Sequence, residues 1–176
     1  LMTNEIEIFD NEVPFVDMQQ IYEYVLNSNF RLGWMDRDNK LASNIYSAYT
    51  KEEADTFLLL KNLKKVSKKS KFNINIDNFD KCIVNLSKCG DNYFNHTHAG
   101  LIVMLYYANL EWNESYAGET LFYDNSLINA ESVVSFVPGR IIIFDGETPH
   151  TIRPQSTCGP TYRFTISYFV RKHGIL

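Results

Sequence analysis

Cysteine is scarce in this chain, and what there is does not pair. Cys82, Cys89 and Cys158 form no CxxC motif and are odd in number. They read as reduced thiols, buried or incidental, which predicts a reducing, cytoplasmic setting. Long apolar runs are also missing. Runs such as residues 101–107 and 141–144 fall far short of the roughly 20 residues of a membrane helix, so no membrane association is expected. Residues 1–10 are polar and acidic, with no positive start ahead of an apolar block, and predict no secretion signal. Positive charge is not in excess either. Lys and Arg total 17 against 21 Asp and Glu, a net charge of −4, which argues against nucleic acid as a main partner. Lysines do gather at Lys61, Lys64, Lys65, Lys68, Lys69 and Lys71, as on the solvated face and end of a helix. Neither an internal repeat nor a low-complexity linker divides the 176 residues, so one domain is predicted over residues 1–176.

Two regimes of patterning follow one another. In residues 1–71 a short strand is expected at 5–9, followed by a turn. A helix over 15–26 carries Phe15, Met18, Ile21, Tyr22, Val25 and Leu26 at helical spacing, and Asn27-Ser28-Asn29 stops it. A strand at 30–35 and a turn at 36–39 come next, while 44–49 is ambiguous. Thr50 with Glu53 three residues later is a capping-box pattern. It predicts one helix running through Phe57, Leu60 and Leu63 to about Lys64 or Lys68. Residues 72–171 change to period two. Strands are expected at 72–76, 81–86, 93–98, 101–108, 119–123, 132–136, 141–144 and 162–170, separated by Gly, Pro and Asn turns. Residues 101–108 are apolar on both faces, which suggests a central strand. The sum is a mostly β chain with flanking α: a double-sheet barrel or jelly roll with the early helices packed outside it.

Histidine is rare too, at four residues, yet three of the four fall in two places. His96 and His98 flank Thr97, and on an extended backbone they point to the same side. His150 follows the apolar run 141–144. Three imidazoles from two segments can cover one face of a metal ion, although two polar residues at a strand end fit the local sequence equally well. On the last strand, Arg163, Thr165 and Ser167 share one face, and Tyr162, Phe164, Ile166 and Tyr168 share the other. If Arg163 points inward it is a costly buried cation that calls for an anion, and its planar fork suits a carboxylate. If outward, it is an ordinary solvated arginine.

These residues stand in an order. His96-Thr97-His98 is followed by Leu105-Tyr106-Tyr107-Ala108-Asn109 with Trp112, then by Gly118-Glu119-Thr120-Leu121-Phe122. Next come Pro138-Gly139-Arg140 with the run to Phe144, then Pro149-His150, then Arg163-Phe164-Thr165. In that order, over about residues 80–171, the chain resembles the iron(II)/2-oxoglutarate-dependent dioxygenases, specifically the prolyl 4-hydroxylase-like branch. The amino-terminal half carries no comparable motif, though Phe9-Asp10-Asn11 before an amphipathic helix is compatible with how the branch begins.

The resemblance implies a double-stranded β-helix, cupin-like, with its catalytic core at 72–171. It also implies Fe(II), 2-oxoglutarate and dioxygen as co-substrate, with ascorbate as a candidate reductant. By position, His96 and His150 match iron ligands. Arg163 matches the residue that holds the far carboxylate of 2-oxoglutarate, helped by Tyr107 and supported by Thr165. Asn109 and Trp112 match the border of the substrate opening, and Thr120 or Leu121 would face the cofactor. The implied substrate is a peptidyl proline or another amino-acid-like or small molecule, and the oligomeric state is left open.

His98 departs from the family, which has an aspartate there. It can ligate as a third imidazole or turn aside. Alternatively the register shifts, with His98 as first ligand and Gly100 in the acid position, as in related halogenating enzymes. A hydroxylase is therefore expected, with two rivals: a halogenase of the same fold and a non-catalytic metal-binding jelly roll.

Overall fold

The computed structural model describes residues 5–34, 44–91 and 93–172, and of these the side chain of Trp34 is left out. The turn expected at 36–39 lies outside the described residues. In chain order the elements are β1 (Ile6–Phe9), α1 (Phe15–Leu26), β2 (Arg31–Trp34), β3 (Asn44–Tyr49), α2 (Lys51–Thr56), α3 (Leu58–Ser67), β4 (Phe79–Ser87) and β5 (Leu101–Tyr107). They continue with β6 (Thr120–Tyr123), β7 (Ala130–Val134), β8 (Ile141–Asp145), β9 (His150–Ile152) and β10 (Arg163–Arg171). The fold is the expected mostly β, double-sheet one. A seven-stranded sheet runs β1-β8-β5-β10-β4-β3-β2, and a three-stranded sheet runs β7-β6-β9. The pairings are antiparallel.

Period two decides which layer each side chain joins. Along β5, Ile102, Met104 and Tyr106 face the helices, while Val103, Leu105 and Tyr107 face the space between the sheets. Along β8, Ile141 and Ile143 divide from Ile142 and Phe144 in the same way. The large sheet is thus covered on both sides, which is why these strands read as unbroken apolar runs rather than as alternation. Ile21, Val25, Leu59, Leu60, Leu63 and Val66 of α1 and α3 close the outer layer, each at most 2% exposed. Each such side chain contributes on the order of 1.5–3 kcal/mol through burial.

Several expectations needed correction. The helix predicted from Thr50 onward breaks at Phe57, whose backbone is extended at φ −66°, ψ 129°. The hydroxyl of Thr56 donates back to the carbonyls of Glu52 and Glu53, a competitor to regular helix. The break turns the Phe57 ring into the core against Tyr24 and Tyr49. The capping box itself forms in both directions, with Glu53 N donating to Thr50 Oγ1 at 3.2 Å and Thr50 N to Glu53 Oε2 at 2.7 Å. In α1, Phe15 and Leu26 lie off the buried stripe at 62% and 51% exposure. Residues 72–76 form no strand. Phe72 and Ile74 pack on the core from a loop, and Ile76–Asn78 is a single 3-10 turn; alternation there records packing without a strand partner. Residues 93–98 are not a regular strand either and make one isolated bridge, His96 to His150.

A candidate metal centre and the cavity beside it

The bridge between His96 and His150 begins the site. Their backbones exchange both hydrogen bonds, each 3.1 Å, so the two residues stand directly opposite one another and their rings lie 4.4 Å apart. His98 is held by different means. Its N–H donates to the carbonyl of Gly146 at 2.6 Å, and Gly146 N donates to Leu101 O at 2.8 Å. A Cβ on Gly146 would sit 2.4 Å from the His98 carbonyl oxygen and 2.8 Å from that of Leu101, so only glycine allows this approach. The His98 ring lies 4.8 Å from that of His96 and 5.2 Å from that of His150.

The three imidazoles each offer a nitrogen, and these nitrogens all lie within 4.8 Å of one another. Three nitrogens that cover one face of a first-row ion stand about 3 Å apart, so the rings would draw together by up to roughly 2 Å to share an ion. The Nδ1 atoms of His96 and His150 are 3.0 Å and 2.8 Å from the carbonyl oxygens of Phe94 and Thr148. With Nδ1–H donating, each Nε2 keeps its lone pair, the tautomer a metal ligand needs. Burial first, then the charge of His96 and of Lys81, push the His98 imidazole down to about 3. Burial, followed by His96 and His98, holds His150 well below its ordinary value. Both rings are neutral at physiological pH and competent as donors.

A cavity opens beside the histidines, bounded by β3, β4, β5, β8, β10 and the small sheet. His96, His98, His150, Tyr93, Thr120, Thr165, Ser167, Asn85 and Ser87 give it polar points, and Ile83, Val103, Leu105, Phe144 and Phe169 give it apolar walls. The polar face of β10 thus turns inward. The pairing of β10 with β4 sets Thr165 opposite Asn85 and Arg163 opposite Ser87.

Arg163 is buried at 1% exposure, and its neighbours Phe136 and Tyr107 put it on the face between the sheets. Its Nε donates to Gly118 O at 2.9 Å, and its guanidinium lies 4.9 Å from the Phe136 ring and 5.7 Å from the Tyr107 ring. Its Nη2 has no hydrogen-bond partner among the described residues, and neither does the hydroxyl of Thr165. Burial pulls the guanidinium down from its usual value, but arginine stays charged in proteins. An unpaired buried cation costs several kcal/mol, which a bound carboxylate would offset. Tyr107 is fully buried and its hydroxyl shares a 2.7 Å hydrogen bond with Thr120. Arg163 and Tyr107 therefore stand behind the cavity surface, with Thr165 and Thr120 in front.

Asn109 and Trp112 do not line the cavity. Asn109 donates to Tyr162 O at 2.9 Å and accepts from Phe164 N at 2.8 Å, closing the end of β5 onto β10. Trp112 donates to Ala117 O at 2.9 Å and lies against Phe136 at 4.2 Å. A Cβ on Gly118 would sit 2.9 Å from the Trp112 ring and 3.2 Å from Arg163 Nε, so Trp112 and Gly118 pack the arginine in place. Sequence reasoning missed Tyr93, Asn85 and Ser87. Tyr93 donates to Asp91 at 3.1 Å, and burial raises its pKa. For Asn85 and Ser87 a signal was present: they alternate with Val84 and Leu86 in a run otherwise rich in apolar residues.

No family model matches the sequence, and a search of curated proteins finds no match. Solved structures do match in fold. A prolyl hydroxylase from Trichoplax adhaerens, in complex with a hypoxia inducible factor oxygen degradation domain peptide fragment, superposes with a TM-score of 0.69 at 19% identity, covering 97% of this chain and 84% of that one. A Pseudomonas putida prolyl-4-hydroxylase gives 0.74 at 13% identity, over 97% and 94%. A 2OG-Fe(II) oxygenase family oxidoreductase from Burkholderia pseudomallei gives 0.70 at 11% identity, over 96% and 86%. The chain has the fold of these oxygenases.

Proposed function

We propose that this chain is an Fe(II)/2-oxoglutarate-dependent dioxygenase that hydroxylates a peptidyl proline or another amino-acid-like substrate. One observation carries the reading: three convergent imidazoles share a barrel with a buried arginine whose Nη2 is unpartnered among the described residues. His96, His98 and His150 would hold Fe(II), with His98 as a third imidazole in place of the family's aspartate. Both His96 and His98 turn a nitrogen to the same point as His150, which favours this over a shifted register through Gly100. Arg163, with Tyr107 and Thr165, would hold the far carboxylate of 2-oxoglutarate. Iron with 2-oxoglutarate and dioxygen supplies the oxidation, releasing succinate and carbon dioxide and placing oxygen on the substrate.

The protein's own part is positioning and shielding. The carbonyls of Phe94 and Thr148 fix two imidazoles, Gly146 fixes the backbone that carries the third, and apolar side chains of both sheets exclude water. No side chain is asked to act as a general base. Peptide binding by the Trichoplax protein supports a peptide substrate here. The test is succinate formation from 2-oxoglutarate by the Fe(II)-loaded protein, without and with proline-containing peptides. Failure to form succinate under any loading would favour the non-catalytic metal-binding alternative.

A further inference from the structure

Two buried charged atoms of opposite sign lack a hydrogen-bond partner among the described residues, Nη2 of Arg163 and Oε2 of Glu119. The backbone brings their residues together. Arg163 Nε donates to Gly118 O at 2.9 Å, and that carbonyl belongs to the peptide unit whose nitrogen is that of Glu119. The guanidinium and the carboxylate make no direct ion pair, yet Glu119 acts on Arg163 electrostatically. The other groups acting on Arg163 are the hydroxyls of Tyr107 and Tyr93, which burial keeps protonated and so uncharged.

Arg153 is a weak competitor for Glu119. Its Nη1 lies 3.5 Å from Glu119 Oε1, and its side chain is 61% exposed against 18% for Glu119, so water screens the contact. Arg163 is only 1% exposed. Charges act more strongly on one another where water is excluded, so the carboxylate is felt chiefly by the buried cation.

We propose that Glu119 is the resident counter-ion of Arg163 and sets the affinity of the site for the far carboxylate of 2-oxoglutarate. This rests on the reading of the site as one for Fe(II) and 2-oxoglutarate, and it deepens that reading by naming the residue that regulates the hold on the co-substrate. Before 2-oxoglutarate binds, Glu119 compensates the buried guanidinium. Once bound, the far carboxylate takes Nη2 and meets the like charge of Glu119. Both anions draw on one cation, so each weakens the hold of the other. Glu119 works through Arg163 and is a positioning residue. The dependence is one-sided: without Arg163, Glu119 keeps Arg153 and some access to water, whereas Arg163 has no second carboxylate.

The test is anaerobic calorimetry on the whole Fe(II)-loaded chain with two ligands, 2-oxoglutarate and 2-oxobutyrate. The second keeps the 2-oxo acid end but replaces the far carboxylate with a methyl group. Wild-type binding of 2-oxoglutarate is read first, and its absence overturns the underlying reading of the site and the proposal with it. In E119Q, 2-oxoglutarate should bind about tenfold more tightly, because a like charge has gone, while 2-oxobutyrate binds as in wild type. The urea midpoint of the E119Q apoprotein should fall, since Arg163 loses its counter-ion. In an R163M background the same substitution should change neither quantity. E119D, which keeps the charge, should bind 2-oxoglutarate as wild type does.

A Glu119 that only supported the fold would lower the midpoint without tightening 2-oxoglutarate. Weaker or unchanged 2-oxoglutarate binding in E119Q therefore overturns the proposal alone, as does an equal gain for 2-oxobutyrate. If E119Q does not fold, R153M takes its place. Loss of this exposed cation leaves the charge of Glu119 wholly to Arg163, so 2-oxoglutarate should bind more weakly and 2-oxobutyrate as before. An unchanged 2-oxoglutarate affinity in R153M would then overturn the proposal.

Discussion

His96 and His150 are joined twice through their backbones, by two hydrogen bonds of 3.1 Å, and this reciprocal pair sets their rings 4.4 Å apart. Two segments 54 residues apart in number are thereby locked in register without forming a strand between them. Because the bonds are made by the main chain, H150A should preserve the bridge while removing one donor. The expected outcome is loss of stoichiometric Fe(II) or Co(II) binding with a retained far-ultraviolet spectrum. Anaerobic calorimetry on both proteins checks it.

Gly146 is the support of His98. In G146A a methyl group would have to fit within 2.4 Å of the His98 carbonyl oxygen, so the segment must move. Metal affinity should fall by about tenfold or more, as expected when groups that orient a ligand are disturbed. Stability should fall by on the order of 1–3 kcal/mol from overpacking. Metal titration and urea denaturation of the variant test the two effects separately.

Arg163 should be dispensable for folding and needed for the ligand. In R163M an unpaired buried cation is replaced by an apolar chain of similar reach, so the apoprotein should keep or raise its urea midpoint. The affinity for 2-oxoglutarate should drop by roughly 10- to 100-fold, the worth of a hydrogen bond to a charged group at about 1.5–3 kcal/mol. Equilibrium binding of 2-oxoglutarate to the metal-loaded variant measures it. A variant that binds 2-oxoglutarate as tightly as wild type would remove Arg163 from the site.

Acid should destabilise the apoprotein through the same histidines. His98 is pushed down to about 3 and His150 well below its ordinary value, whereas in the unfolded chain both lie near 6.5. As pH falls from about 6.5 towards 3 the unfolded state takes up protons that the native state refuses, so stability declines over that window and is unaffected by these groups above it. Asp10 and Asp77, whose pKa values are lowered by Arg140 and Lys64, lose their contributions only at lower pH. The urea midpoint of wild type should therefore fall between pH 6.5 and 5, and H98F should show a shallower fall over that window.

Much of this was legible in the sequence. Unbroken apolar runs at residues 101–107 and 141–144, with period-two alternation along 163–170, located the strands whose two faces serve two layers, and the rarity and spacing of His96, His98 and His150 picked out the cluster that the fold brings together. The failures have physical causes. Phe57 reads as one more apolar position in a helix, and only packing against Tyr24 and Tyr49 shows why the helix breaks there. Residues 72–76 alternate because Phe72, Ile74 and Ile76 pack on one side, and nothing local reveals that no strand is available to pair with them. The direction of Arg163 was undecidable from its own strand, since either face of β10 could be the inner one. Asn109 and Trp112 could be placed near a loop by sequence, but only coordinates show that they brace β10 and Arg163 rather than line the cavity.

The most direct measurement of the account is anaerobic titration of the Fe(II)-loaded protein with 2-oxoglutarate, followed by admission of dioxygen and quantification of succinate. The account predicts one 2-oxoglutarate bound per iron, succinate formed in proportion to 2-oxoglutarate consumed, and neither in H150A. Iron that binds equally well to H150A, or a wild-type protein that holds iron and yields no succinate, would contradict it.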